Sequence, residues 1–318
     1  MRLGLMLGSD RDLPYGERLP AWIDHARTAD EAGYASMWIT QIPGYLDALT
    51  AIALMGPQTK QIELATSVVP IQTRHPVAMA QQVLTTQIAC GGRVSLGLGP
   101  SHHWVVEDQL GLPYDRPAHL VRTYLEVLSA ALEGPGNVDV ENDVYRVHSP
   151  MNVTDITPTP ILLAALGPVM LQLAGARASG TILWMADERA IAEYIAPRLT
   201  SAAADAGRAA PRIVAGVPVA VCGGRELETV RETANDVLGH ADFSPNYMRL
   251  LEHGDADDVG DVVAAGDEDA IVERLRRFRD AGVTDLAARI LPLGDDPDAR
   301  RASRLRTRAL LDTLAPEL

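Results

Sequence analysis

The densest group of side chains that could do chemistry follows a short glycine-rich segment. Apolar and small residues alternate over residues 93–99, and a serine and two histidines come soon after. Glycines such as Gly97 and Gly99 let the backbone approach a ligand closely. A histidine titrates near neutral pH, so it can accept or donate a proton there. We therefore predict proton transfer by His102 and ligand contact at both glycines, while its neighbour His103 faces away.

Two further polar residues are candidates for the same chemistry. Glu107 follows the histidines and could act as an acid, although a glutamate that opens a helix also stabilises the helix dipole. Gln41 ends a strand-like segment, and its amide can both donate and accept hydrogen bonds. The predicted catalytic residues are therefore His102, Gln41 and Glu107. The aromatic residues Trp104 and Tyr45 are expected near a substrate.

Charge and motifs exclude several other functions. The formal charge of −14 argues against general binding of nucleic acid or anionic membranes. The sequence has no P-loop, HExxH, paired CxxC or GxSxG motif, and Cys90 and Cys222 have neither metal nor redox spacing. No apolar run reaches the ~18–20 residues of a transmembrane helix. We therefore expect a soluble cytoplasmic protein without a metal site, a membrane or a nucleic-acid partner.

Strand-like and helix-like segments alternate along the whole chain. Eight segments have the apolar, β-branched character of buried parallel strands, at residues 3–7, 36–40, 62–70, 93–99, 161–165, 181–184, 213–221 and 285–291. Helical periodicity follows each of them. This order predicts an α/β fold with one domain over residues 1–318, a (β/α)8 TIM barrel with an acidic insertion at residues 243–266 before the last β/α unit. Chemistry in such barrels lies at the carboxyl ends of the strands.

Several longer segments resemble one family, the bacterial luciferase-like flavin and deazaflavin oxidoreductases, and within it the branch that uses coenzyme F420. The matching segments are MWITQ, TSVVPIQTRHPVAMAQQ, GRVSLGLGPSH, LPYDRPAHLVRTYLEVL and ALGPVMLQLAGARASGTILWM. They occur in the expected order through most of residues 1–190, and a later segment, GDEDAIVERLRRFRDAGVTDL, matches more loosely. The resemblance implies a TIM barrel with the tricyclic ring of the cofactor in its carboxyl-terminal mouth.

The resemblance also implies where the cofactor binds. Ser67-Val68 matches the position of a non-prolyl cis peptide that supports the deazaflavin ring. Ala165-Leu166-Gly167-Pro168 matches a loop whose backbone N–H groups meet the ribityl-phosphate side, which agrees with the free donors and partial positive charge of a helix N-terminus. Arg74-His75 is expected to add positive charge near the phosphate tail. Gly97 and Gly99, in the matching GRVSLGLGPSH segment, complete the predicted cofactor contacts.

Two positions depart from the sugar-phosphate dehydrogenases of that branch. Those relatives end the second strand in an Asp-His pair, where this sequence has Gln41-Ile42. Gln41 can still hydrogen-bond the edge of the ring, but Ile42 cannot transfer a proton. His102 falls where these relatives have an acidic proton donor. We therefore expect His102 to deliver or withdraw the proton that accompanies hydride transfer at the deazaflavin C5, with a substrate other than a sugar phosphate.

The resemblance predicts an F420-dependent oxidoreductase that exchanges hydride between the deazaflavin and a small organic substrate. The first alternative is an FMN-dependent luciferase-like monooxygenase with the same barrel. The second is a cofactor-poor barrel that acts as a binding scaffold. The early helices, at residues 48–55 and 77–88, are apolar enough to pair across a two-fold axis, so a homodimer is expected.

Overall fold

The computed structural model of the protein describes residues 1–8, 13–133, 136–153, 156–238 and 244–317. In chain order, the strands of these residues are β1 (Arg2–Leu7), β2 (Ser36–Ile39), β3 (Glu63–Thr66), β4 (Val69–Pro70), β5 (Val94–Gly99), β6 (Gly136–Glu141), β7 (Arg146–Met151), β8 (Ile161–Ala164), β9 (Gly180–Trp184), β10 (Arg212–Val221), β11 (Ala264–Gly266) and β12 (Asp285–Ile290).

Eight parallel strands close into a barrel in the order β1, β2, β3, β5, β8, β9, β10 and β12, since β12 pairs with β1. β4 continues the line of β3 along β5, and β11 extends the edge of β10. The helices are α1 (Tyr15–Glu31), α2 (Ala48–Met55), α3 (Pro76–Ala89), α4 (Pro117–Leu132), α5 (Pro168–Arg177), α6 (Ala196–Asp205), α7 (Leu227–Leu238), α8 (Pro245–His253), α9 (Glu268–Asp280) and α10 (Pro297–Leu314). The predicted (β/α)8 barrel is confirmed.

The alternation of side chains along each strand produces two apolar layers. Outward-facing strand residues such as Leu5, Leu96 and Val219 pack beneath the helices in the main core. Inward-facing residues fill the barrel itself with a smaller cluster, made of Met6, Trp38, Ala65, Leu162, Ile182, Val214 and Ala287. The interior of this TIM barrel is therefore a packed core rather than a pore, so ligands can bind only at the ends of the barrel.

A network of charges closes the amino-terminal end of the barrel. Arg212 Nη2 donates to Asp285 Oδ1 at 2.9 Å and its Nη1 to Glu63 Oε1 at 2.8 Å, and Arg2 pairs with both carboxylates. Burial alone would raise the pKa of Asp285, but its hydrogen bonds and ion pairs with Arg212 outweigh this and hold the pKa below its ordinary value. Charged side chains thus close the amino-terminal end of the barrel, and the carboxyl-terminal end is its mouth.

Some local predictions were wrong in detail. The polar stretch before β8 contains an antiparallel hairpin, β6–β7, that the sequence did not reveal. The sequence predicts Asp115 as the cap of α4, but the N-cap residue is Arg116, in a left-handed conformation (φ 45°). The expected strand at residues 62–70 is interrupted after Thr66. Within the predicted insertion, residues 244–266 form α8, a 3-10 turn and β11, whereas Phe243 lies outside the described residues.

Candidate active site

The junction between β3 and β4 forms one wall of the mouth. The Ser67–Val68 peptide bond is cis, which confirms that prediction. Thr66 Oγ1 accepts a hydrogen bond from the Gly97 N–H at 2.8 Å and donates to the Gly97 carbonyl at 2.9 Å, which ties this wall to β5. A Cβ at Gly97 would lie 2.1 Å from the Thr66 carbonyl oxygen, and a Cβ at Gly99 would lie 3.0 Å from Val68 Cγ2. Both glycines are therefore needed for packing.

Two buried polar atoms along this wall have no hydrogen-bond partner among the residues that the structure describes. They are Ser67 Oγ and Gln72 Oε1. The other end of the Gln72 amide, Nε2, donates to the Pro100 carbonyl at 2.6 Å, just before the histidines. An unsatisfied buried polar atom costs about 1–3 kcal/mol, so such atoms usually meet water or a ligand. Their position fits the polar edge of a bound ring.

His102 lies in an aromatic setting. Its ring stacks on Trp104, with centroids 4.3 Å apart and planes at 7°, and lies 5.9 Å from the ring of Tyr247 in α8. Burial lowers the pKa of His102, and the nearby charge of His103 lowers it further. His103 itself is exposed, as expected. His102 is therefore neutral at physiological pH and fixed in orientation by its stacking partner.

The other two predicted catalytic residues are not brought to His102. Gln41 Oε1 accepts the backbone N–H of Ala48 at 2.8 Å and so stabilises the start of α2, which leaves the amide nitrogen as a donor. Glu107 is exposed in a π-helical segment, Val105–Gln109. Its charge acts on Tyr114, whose pKa is raised by burial and then by Glu107. The structure thus gives Glu107 no contact with the histidine.

The start of α5 provides a positive site. Gly167 is the N-cap of α5 and has no side-chain cap, and Pro168 is the first helical residue. A Cβ at Gly167 would lie 3.2 Å from Nη1 of Arg249, a residue of α8 that also donates to Asn246 Oδ1 at 2.9 Å. Ala165 is buried, whereas Leu166 and Gly167 are half-buried. Free backbone N–H groups and a guanidinium therefore lie at one point, and both favour an anion.

The sequence interpretation missed α8, whose residues Tyr247 and Arg249 reach the mouth. Residues 243–266 are predicted from the sequence as an acidic, irregular insertion, and no motif marks the aromatic and basic residues of this segment. It also missed Arg289 near the end of β12, whose guanidinium lies 5.3 Å from the ring of Trp184. The alternation of Asp285, Ala287 and Arg289 along β12 was the signal, because alternate residues of a strand share one face.

Three expected residues have contacts of other kinds. Arg74 pairs with Asp47 at the start of α2 through Nη2, while its Nη1 is buried with no hydrogen-bond partner among the described residues. His75 is exposed and caps α3, since its Nδ1 accepts from the Val77 N–H at 3.3 Å. Tyr45, expected beside a substrate, packs near Tyr15 of α1 with ring centroids 6.2 Å apart. The positive charge expected from residues 74–75 stays a prediction, and Arg249 adds a second guanidinium at the start of α5.

Within the described ranges, no set of three or more His, Cys, Asp or Glu side chains is placed to bind a metal ion. In the same part of the chain, none of the helices combines the length and apolarity needed to cross a membrane. Cys90 and Cys222 are both buried and form no disulfide.

Comparison with known proteins gives consistent matches over the whole chain. A 5,10-methylenetetrahydromethanopterin reductase of Methanopyrus kandleri is 25% identical over 90% of this chain and 93% of its own. The structure of an F420-dependent secondary alcohol dehydrogenase with an F420–acetone adduct has a TM-score of 0.78 at 16% identity, covering 100% of this chain and 98% of that one. At these identities the structural likeness establishes the fold alone.

A third likeness involves a different cofactor. The oxygenating constituent of 3,6-diketocamphane monooxygenase from the CAM plasmid of Pseudomonas putida, in complex with FMN, has a TM-score of 0.72 at 18% identity over 100% of this chain and 97% of its own. The family model described as luciferase-like monooxygenase matches residues 1–285. This chain therefore belongs to the luciferase-like monooxygenase family.

Proposed function

We propose that this protein is an F420-dependent oxidoreductase that transfers hydride between the deazaflavin and a small organic substrate. The observation that carries the proposal is the pairing of two features at one mouth: the wall with unsatisfied Ser67 Oγ and Gln72 Oε1, and the anion site at Gly167 and Arg249. A cofactor with a polar ring edge and a phosphate fits this pair of features. Relatives named for F420 support the same choice.

The residues that would hold the cofactor fall into two groups. Val68 and the glycines of β5 would contact the ring, and Ser67 and Gln72 would hydrogen-bond its polar edge. The loop Ala165–Pro168 and Arg249 would bind the phosphate side, because backbone N–H groups and a guanidinium both suit phosphate oxygens. When bound, the deazaflavin supplies the carbon that gives or takes the hydride.

The side chains of the mouth would handle the proton and the orientation. His102 is neutral at pH 7, so it can accept a proton from a substrate hydroxyl or amine, and stacking on Trp104 keeps its ring in one plane. Gln41 retains its amide hydrogens for a ring carbonyl or a substrate oxygen, because its own oxygen is bound to Ala48.

FMN is the second candidate cofactor. The anion site at the start of α5 would also accept the phosphate of FMN, and the similar monooxygenase from Pseudomonas putida is in complex with that cofactor. A scaffold without a cofactor is disfavoured, because it would leave the buried polar atoms of Ser67 and Gln72 to water alone.

The anion site gives a direct test of the proposal. Arg249→Met should weaken binding of F420 roughly tenfold or more, because one charge-assisted hydrogen bond contributes about 1.5–3 kcal/mol. Binding of the ribityl deazaflavin, which lacks the phosphate, should not change. Fluorescence titration of both compounds measures this. Arg276→Met in α9, an exposed arginine that pairs with Glu273, is the matched control. Equal losses for both compounds, or none, would reject the phosphate site.

We also propose that the protein is a cytoplasmic homodimer. Helices α2 and α3 expose Leu54 and Ile88, with 46% and 58% of their surface accessible. Exposed apolar residues on neighbouring helices support pairing through this face. Analytical ultracentrifugation of the wild type and of Ile88→Glu would test it, and a monomeric wild type would contradict it.

A further inference from the structure

A large cavity lies beside the barrel mouth, outside the wall where the cofactor is proposed to bind. Its volume is about 960 Å³, and it lies between α1, α7 and α10, above the ends of β1 and β12. This volume falls within the ~300–1,000 Å³ range of small-molecule sites. The described part of its lining is mostly apolar along its length, with Leu7, Trp22, Leu291 and Leu293 among the residues that form it.

The inner end of the cavity opens at the barrel mouth. Met6 lines the cavity and belongs to the inward-facing cluster of the barrel. Pro218 and Arg289 line the same end, and the Arg289 guanidinium covers the Trp184 ring, which packs against that cluster. A Cβ at Gly8 would lie 2.8 Å from Arg289 Nη2, so the glycine makes room for this arginine. A molecule in the cavity can therefore reach the mouth.

Basic side chains line much of the cavity. Besides Arg289 at its inner end, they are His25 of α1 and three arginines along α10, Arg300, Arg304 and Arg308. Three carboxylates also line it, and two of them have partners: Asp312 accepts from Arg308 Nε at 2.5 Å and Glu226 from the Gly223 N–H at 2.7 Å. The described lining therefore has four arginines against three carboxylates, a balance far less negative than the −14 of the chain.

These arginines have other contacts as well. A guanidinium carries five N–H donors in a planar fork, so an arginine with one partner can still donate to a carboxylate. The apolar length of the cavity and the remaining donors of its arginines suit one kind of molecule, an apolar chain or ring system that ends in an anionic group.

We propose that this cavity is the substrate site, and that the substrate is a largely apolar organic acid. Its carboxylate would lie at Arg300 and Arg304, its apolar body would follow Trp22 and Leu293, and its reacting end would reach Met6 and Arg289 at the mouth. This rests on the proposed function, because the substrate must meet the cofactor there. Apolar burial would supply most of the affinity and the arginines the preference for an acid.

The test uses octanoate and 1-octanol as probes, titrated by calorimetry into the protein before and after addition of saturating F420, whose own binding is titrated separately. Octanoate should bind saturably at one site. Arg304→Met should weaken octanoate at least tenfold and leave octanol and F420 unchanged. Thr233→Phe, which places a ring into the cavity from α7, should weaken both probes and leave F420 unchanged. Arg276→Met should change none of these values.

The outcomes separate this inference from the proposed function. If F420 binds and octanoate does not, or if octanoate binds Thr233→Phe as it binds the wild type, the substrate cavity is wrong and the proposed function stands. If octanoate binds and F420 does not, the proposed function is wrong, and this cavity cannot be its substrate site.

Discussion

His102 is the residue on which the proton chemistry depends. Its stacking partner Trp104 is a near neighbour in the chain, but the approach of Tyr247 could not be predicted, since Tyr247 comes from a helix more than a hundred residues away. The sequence could identify a histidine at the end of a glycine-rich strand. It could not show that the ring is half-buried, because burial depends on α8, and α8 carries no recognisable motif.

The first prediction concerns the titration of His102. Burial, followed by the charge of His103, lowers its pKa, so its midpoint should lie below ~6.5, the unperturbed value. The folded state favours the neutral ring, so the contribution of His102 to folding stability is fully present above the unperturbed pKa. This contribution is lost as the pH falls through the lower pKa of the folded state. His103→Ala should move the His102 midpoint upward. NMR of the imidazole Cε1 proton measures both, and an unchanged midpoint in the variant would contradict the arrangement.

The second prediction concerns turnover. If neutral His102 accepts the proton, the rate should rise as pH rises through its lowered pKa and then level off. His102→Ala should reduce kcat ~10²-fold or more, the usual contribution of general acid–base help, with little change in F420 affinity. His103→Ala, at the exposed neighbour, is the control and should retain turnover. Loss of activity in both variants alike would remove the special role of His102.

At the scale of elements, apolar periodicity predicted the barrel strands because buried parallel strands are apolar on both faces. The hairpin β6–β7 did not meet the same criterion, since it lies on the surface and only Val138, Val147 and Met151 of its two strands are buried. The sequence also gave no sign that Gly97 and Gly99 serve packing. Their neighbours, Thr66 and Val68, belong to another strand and become visible only in three dimensions.

The two glycines of β5 should therefore differ in their tolerance of a methyl group. Gly97→Ala would place a Cβ 2.1 Å from a backbone oxygen and should cost about 1–3 kcal/mol or more, whereas Gly99→Ala meets side chains at 3.0 Å that can shift and should cost less. Gly16→Ala in α1 meets nothing within 4 Å and should cause no loss. Urea denaturation ranks the stabilities of the three variants. Equal midpoints for Gly97→Ala and Gly99→Ala would contradict the packing described here.

At the scale of the whole molecule, the two ends of the barrel have different tasks. The amino-terminal end is closed by Arg2, Glu63, Arg212 and Asp285, so its contribution is stability. The carboxyl-terminal end carries the unsatisfied atoms, the anion site and the cavity. The general geometry of a TIM barrel allowed this division to be predicted from the strand order, but the partners of each charge lie on strands far apart in the chain.

Removing the central arginine of the closed end should be costly. Arg212→Met leaves two carboxylates partly or fully buried without their main partner, and breaking such a network typically costs about 3–5 kcal/mol. In the wild type, ionised Asp285 stabilises the fold above pH ~3.9, which is its pKa in the unfolded chain. This stabilisation is lost as the pH falls through the lower pKa of the folded state.

In the Arg212→Met variant, burial would raise the pKa of Asp285, so folding would favour protonation. The difference in unfolding free energy between wild type and variant should therefore narrow as the pH is lowered from 7 to 4. Urea denaturation at both pH values measures this, with Arg276→Met as control. A difference that stays constant would show that Asp285 does not depend on Arg212.

The central claim is that this mouth binds a deazaflavin in preference to a flavin. Calorimetric titration of the purified wild-type protein with F420 and, separately, with FMN compares the two directly. The account predicts saturable binding of F420 at one site per chain and binding of FMN at least tenfold weaker. Tighter binding of FMN, or no heat of association with either compound, would contradict it.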